Sequence, residues 1–186
     1  CFVSDHGEML GDHHLFRKAL PYEGSARIPF LLQGPAGSEV VPGTVRDEVV
    51  ELGDVMPTLL DCAGLPVPDS VEGASLRPLM RGEAASWRSY LHGEHTMLDQ
   101  SIQWVTDGRQ KYVWFSGSGH EQLFDLEADP QERHDLARDP SAASRLGYWR
   151  AALIYELAGR EEGFTDGEQL IAGRPVRPCL SHLCSD

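Results

Sequence analysis

Lysine is nearly absent from this chain: Lys18 and Lys111 stand against fourteen arginines. Basic residues as a whole are outnumbered, 16 against 29 acidic ones, giving a formal net charge of −13. Such a chain repels polyanions, which argues against nucleic acid or an anionic membrane as a partner. Long apolar runs are missing as well. No stretch approaches the ~20 residues needed to span a bilayer, no charged-then-apolar leader opens the chain, and we expect no membrane partner. Neither lysine follows a glycine, so there is no phosphate-binding P-loop. Gly117-Ser118-Gly119 lacks the third glycine and the strand-to-helix setting of a dinucleotide site. His92-Gly93-Glu94-His95 spaces its histidines three apart rather than four, which rules out the helical zinc-protease motif. Cysteine is sparse. Cys62 falls on the apolar side of an expected helix and reads as a small buried hydrophobe. Cys179 and Cys184, five apart in a polar tail, lack zinc-ligand spacing and point only weakly to a disulfide, so the compartment reads as reducing. There is no initiator Met and the chain starts in mid-strand, from which we expect a piece of a longer protein.

What is present is concentrated near the start. Cys1-Phe2-Val3 reads as the end of a buried strand, and strand ends are where open α/β sheets place ligand groups. There follows SDHGEMLGDHHLFRK, residues 4–18. An Asp-His-Gly triplet alone is most simply a solvated turn. Four carboxylate or imidazole groups within nine residues (Asp5, His6, Asp12, His13) shift the balance toward a metal or anion site, because such a cluster is costly to bury without a cation. Asp5 is a hard oxygen donor and His6 a borderline nitrogen donor, and Gly7 removes a Cβ that would hold the backbone away from an ion. His14 reads as a bystander and Glu8 as a solvated or capping carboxylate. Lys18 is placed to act as a point charge on an anionic oxygen or as a proton donor.

With 186 residues, 41% of them hydrophobic, the chain can bury one compact core, in one or two domains. Residues 28–33 predict a buried strand, with Pro29 at an edge or bulge. Asp54 predicts an N-cap for a helix whose Val55/Leu59 and Met56/Leu60/Ala63 repeats form a core face and which stops at Gly64. Residues 76–80 predict a single helical turn. From about Trp87 the pattern changes to period two. Segments 89–92, 102–106, 111–115 and 121–126 predict strands, the last three as an antiparallel meander through Asp107-Gly108 and Gly117-Ser118-Gly119. Ile102 and Trp104 share one strand face, as do Tyr112 and Trp114, and such aromatics read as core. Asp139-Pro140 predicts a helix start, with an apolar stripe of Leu146, Trp149, Leu153 and Leu157 ending at Gly159 and lying across the sheet.

These residues carry a resemblance. The run at 4–18, followed by Tyr22-Glu23 and ARIPFLL at 26–32, resembles the sulfatase family of the alkaline-phosphatase superfamily. Within it the run is most similar to the arylsulfatase and phosphonate monoester hydrolase branch, which carries Asp-His where other sulfatases carry Asp-Asn. VVELGDVMPTLL at 49–60, Cys62-Ala63-Gly64-Leu65-Pro66, EGASL at 72–76, Arg77-Pro78-Leu79, QLFDL at 122–126 and DPQE at 129–132 extend the likeness over roughly residues 2–165.

The resemblance implies the C-terminal part of an alkaline-phosphatase-like α/β sandwich over residues 1–86. It implies a small α+β subdomain, an antiparallel sheet with a C-terminal helix, over 87–186. It implies metal ligands at Asp5 and His6, and in Lys18 the cation that holds the ester oxygens or assists the leaving group. Arg27 would be a structural ion-pair residue. From the residues themselves, His95 or Glu94, on a loop after the strand at 89–92, can approach the substrate end of the cleft. The family's nucleophile is a formylglycine made from Cys-x-Pro-x-Arg, and none of the four cysteines begins that signature, so it is expected upstream. The expected cofactor is a divalent metal, calcium or, given His6, manganese or zinc. The expected activity is sulfate-ester hydrolysis, with phosphonate monoester or phosphodiester hydrolysis, or a non-catalytic module retaining the fold, as alternatives. Expected partners are a small anionic ester and the rest of the same catalytic domain, with a homo-oligomer as a further option. We expect a cytoplasmic protein, or a periplasmic one if a signal precedes the chain.

Overall fold

The computed structural model describes residues 1–176, so Cys179 and Cys184 lie outside the described residues. In chain order the elements are strand β1 (Phe2–Val3), helix α1 (Glu23–Ala26), strand β2 (Phe30–Leu31), helices α2 (Val55–Cys62) and α3 (Arg77–Met80), strands β3 (Leu91–Met97), β4 (Gln100–Thr106), β5 (Gln110–Phe115) and β6 (Glu121–Asp125), and helix α4 (Ala143–Leu157). β1 and β2 form a two-stranded antiparallel ribbon, and β3 to β6 a four-stranded antiparallel meander in sequence order. The result is a mixed α/β fold.

The meander follows from the period-two pattern, because alternate side chains on each strand leave opposite faces. One face carries Val105, Tyr112, Trp114 and Leu123 against Trp149, Leu153 and Leu157 of α4. Each of these three α4 side chains is fully buried, and such burial contributes about 1.5–3 kcal/mol per large apolar residue. The opposite face carries Ile102, Val113 and Phe124, with Trp104 at its margin. It is covered by Met9 and Tyr22 from the segment between β1 and α1. The pairs Ile102/Trp104 and Tyr112/Trp114 thus lie on opposite sides of the sheet, each in core. Asp139 caps the final helical segment by accepting from the Ser141 amide at 2.8 Å, and Gly159 ends it at φ +76°.

Several expectations are corrected. The strand expected at 89–92 runs from Leu91 to Met97, so His95 lies within a strand rather than on a loop after one. β1 and β2 are not buried: Phe2 is 63% and Leu31 60% exposed. Asp54 does stand at the N-cap of α2, but its side chain makes no capping bond to that helix. Its carboxylate accepts from the Glu51 and Ala74 amides and from both terminal nitrogens of Arg88, at 2.6–2.9 Å, so it serves as a buried hub instead. The buried residues of α2 are Pro57 and Thr58, whereas Met56 and Leu59 of the expected core face are 46% and 53% exposed. Cys62 is exposed as well. Its helix does stop at Gly64, at φ +69°.

Candidate metal and anion site

The loop after β1 folds back on α1. The Gly7 amide donates to Ser25 O at 2.8 Å. A Cβ at Gly7 would collide with the Gly24 carbonyl oxygen, so this glycine is required by the approach of its own chain rather than by an ion. Further along, the Met9 amide donates to Arg17 O at 3.0 Å, and the Met9 side chain plugs the sheet core. Glu8 accepts from the Leu10 and Arg17 amides, so it braces the loop. Between these anchors Leu10, His13, His14 and Arg17 all have positive φ, from 49° to 68°. A non-glycine residue held there costs on the order of 1–3 kcal/mol, and such strain clusters where function over-determines the backbone.

Ahead of this strained segment, Asp5 and His6 lie side by side as a pair. His6 Nδ1 lies 2.6 Å from Gly7 O. A carbonyl only accepts, so Nδ1 carries the proton and leaves the lone pair of neutral imidazole on Nε2. His6 Nε2 faces Asp5 Oδ2 at 3.4 Å, and the two side chains are 35% and 81% exposed. Two electron-pair donors at that separation repel unless a proton or a cation lies between them. The pair therefore fits a divalent ion taking one hard oxygen and one imidazole nitrogen. Among the described residues no third His, Cys, Asp or Glu converges on it.

An open groove of about 1290 Å³ is lined by Asp5, His6, Lys18, Glu94, His95 and Trp104, among others. Lys18 is exposed and forms no hydrogen bond or ion pair among the described residues, which leaves its ammonium available to an anionic ligand. His95 is exposed in the same groove. Its neighbour Glu94 is held by Arg160 at 2.7 Å and Gln103 at 3.1 Å. A Cβ at Gly93 would enter the Trp104 ring, so the indole lies flat on the strand there.

The cluster of four donors divides. Asp12 and His13 are outside the groove. His13 stacks on Tyr22 at 4.1 Å between ring centres and donates from Nε2 to Gln131 O at 2.9 Å. Arg27 pairs with Glu23 at 3.8 Å but its side chain is 79% exposed, so the pair contributes little.

The largest feature absent from the expectations involves the second lysine. Lys111 on β5 is 1% exposed. Its ammonium donates to Pro21 O at 2.8 Å, Glu23 Oε1 at 2.7 Å and Glu132 Oε1 at 2.8 Å. The other Glu132 oxygen accepts the Glu23 amide at 2.6 Å. Burial pushes the Glu132 carboxyl up, against the pull of the Lys111 ammonium. Two signals pointed to Lys111: its rarity, and the alternation that places it on the Val113 face.

The geometry can be set beside known proteins. Residues 11–155 match the family described as N-sulphoglucosamine sulphohydrolase, C-terminal. The chain is 51% identical over 183 residues to an arylsulfatase of Clostridium perfringens, covering 98% of this chain and 38% of that protein. It is 36% identical over 182 residues to the multifunctional alkaline phosphatase superfamily protein PehA of Trinickia caryophylli, covering 88% of this chain and 35% of the relative. The solved phosphonate monoester hydrolase from Silicibacter pomeroyi shares the fold with a TM-score of 0.72 at 30% identity, over 83% of this chain and 33% of the other. The chain thus spans between 33% and 38% of the length of these relatives. It corresponds in sequence and fold to their C-terminal portion, and it belongs to the sulfatase family of the alkaline-phosphatase superfamily.

Proposed function

We propose that this chain supplies one wall of a sulfatase active site that hydrolyses sulfate esters. The observation that carries the reading is the Asp5–His6 donor pair, facing the same groove as Lys18, which has no partner among the described residues, in a chain 51% identical to an arylsulfatase. Asp5 and His6 would hold a divalent metal, which when bound supplies Lewis acidity toward the ester oxygens. Lys18 brings a compact ammonium to the groove, where it stabilises the charge that grows on the ester or leaving-group oxygen in the transition state. The Gly7 carbonyl holds the His6 ring in the tautomer that donates a lone pair from Nε2. The nucleophile, a formylglycine, and the remaining metal ligands belong to the rest of the catalytic domain. That domain is also the partner we assign to the exposed apolar side chains Phe2, Leu31 and Leu59.

In the full-length protein, Lys18→Ala should lower kcat for an aryl sulfate by about 10²–10³-fold, the scale of removing one preorganised charge-stabilising donor. Metal content, measured by elemental analysis, should stay unchanged. Normal turnover, or loss of the metal, would refute this role. The 186-residue chain by itself should turn over no ester. His6→Asn should shift metal preference toward calcium in a mixed-metal buffer, because an amide oxygen replaces an imidazole.

A second reading, hydrolysis of phosphonate monoesters, is favoured by the 30% identity to the Silicibacter pomeroyi hydrolase. Side-by-side kcat/KM values for an aryl sulfate and an aryl phosphonate monoester decide between the two.

A further inference from the structure

We propose that Lys111 and Glu132 are positioning residues that hold Lys18 in place from the far side of the loop that carries it. The inference rests on the reading of Lys18 as the charge-stabilising group. The two groups come from different parts of the small sheet, Lys111 from β5 and Glu132 from the turn after β6. Both side chains are 1% exposed. Together they make four hydrogen bonds to or between themselves and residues 21–23: three from the ammonium, which uses all its protons, and one from the Glu23 amide to Glu132.

Three things argue that this cluster does more than fill space. The first is chemical. An apolar core of the same volume would be at least as stable as a buried ion pair. What apolar contact does not provide is direction, whereas the bonds to Pro21 O, Glu23 Oε1 and the Glu23 amide fix the chain's path at those residues. The second is proximity along the chain. Pro21 is three residues from Lys18, a reach of at most about 11 Å, so a shift at Pro21 is transmitted to the lysine with little slack. The third is backbone. Glu132 itself sits at φ 53°, a conformation a glutamate adopts only when its surroundings demand it. The adjacent Gln131 carbonyl receives His13, which stacks on Tyr22, so one short turn grips the loop on both sides of Lys18. Glu23 has a second, weaker partner in Arg27 at 3.8 Å, which leaves the Lys111 contact as its main restraint.

The test uses Lys111→Met/Glu132→Gln in the full-length protein, which removes one charge of each sign. The variant should fold, with a Tm near wild type. Backbone amides of residues 4–27 should exchange with solvent about tenfold faster, while those of β4 and β5 stay protected. The kcat for an aryl sulfate should fall about 10²-fold with KM less affected. On a Lys18→Ala background the same pair of substitutions should cost less than about twofold, because the group they position is gone. Lys111→Arg serves as the second variant, since it keeps the charge but not the compact three-way geometry, and it should show the same exchange pattern more weakly. Unchanged exchange over 4–27 in a folded variant overturns the proposal, as does an equal loss of kcat with and without Lys18. Failure of both variants to fold would assign the cluster a purely structural role and also overturn it. If the wild-type protein hydrolyses neither sulfate nor phosphonate esters, the functional reading fails, and the exchange measurement alone still decides whether Lys111 and Glu132 hold the loop.

Discussion

Residues 91–157 and residues 1–65 obey the same patterning rules with opposite results. In the sheet and its helix, the apolar positions that the pattern marks as inward are inside: Tyr112, Leu123 and Leu153 are at most 1% exposed. In the earlier region, positions marked with equal clarity stand in solvent: Phe2, Leu31, Met56 and Leu59 are between 46% and 63% exposed. The difference is where the partner surface comes from. The small sheet has one face covered by α4 and the other by the strained loop, both within the chain. The corresponding side chains of β1, β2 and α2 have no such cover among the described residues, and under the proposed function the rest of the catalytic domain would supply it. An amphipathic pattern reports that a face will be buried and says nothing about which polypeptide buries it.

That contrast can be broken or sharpened by substitution. The largest effect is expected in the self-contained region: Trp114→Ala should cost about 3–5 kcal/mol, read from the urea midpoint, and a cost below 1 would show that the sheet core is not the stabilising unit. Arg88→Met should come next, at about 3 kcal/mol, because it leaves the fully buried Asp54 carboxylate without its counter-charge. Leu59→Ser tests the other region directly. It should change the stability of the 186-residue chain by no more than about 0.5 kcal/mol, and that of the full-length protein by about 2 kcal/mol or more. Equal small effects in both would mean that the α2 face is a true surface.

The smallest effect concerns acid. Hydrogen bonds from Arg77 hold Glu39 below the ordinary carboxylate range, and those from Ser75 and then Arg77 do the same for Asp61. Carboxyls with folded values below their unfolded ones add stability that is fully present above about pH 4.5 and is lost as pH falls through the folded values. Arg77→Gln should therefore lower the urea midpoint modestly near pH 7 and leave it unchanged at pH values below both folded carboxyl values, which flattens the acid limb between. An unaltered acid limb would remove these pairs from the account of acid sensitivity. Both carboxylates are well hydrated, so the effect is modest.

Much of this molecule was determined by local sequence. Alternation in 102–106, 111–115 and 121–126 sufficed for the meander, because a period of two can be satisfied only by an extended strand with one face turned inward. Asp139-Pro140 and Gly159 bounded the last helix through capping and left-handed geometry, which depend on neighbours in the chain alone. Asp5, His6 and Lys18 were singled out by residue type and spacing, and all three line the groove. Only the tertiary structure decided the remainder. It separated Asp12 and His13 from that groove, gave the Asp54 carboxylate to Arg88 rather than to a capping bond, and turned Lys111 from a charge on a strand into a buried three-way donor. The physical reason is common to these cases. Whether a polar side chain is solvated or buried depends on the groups that reach it, and those of Lys111 arrive from 90, 88 and 21 residues away. No periodicity in the chain encodes such an arrival, because it is set by how the loop, the strand and the turn pack together.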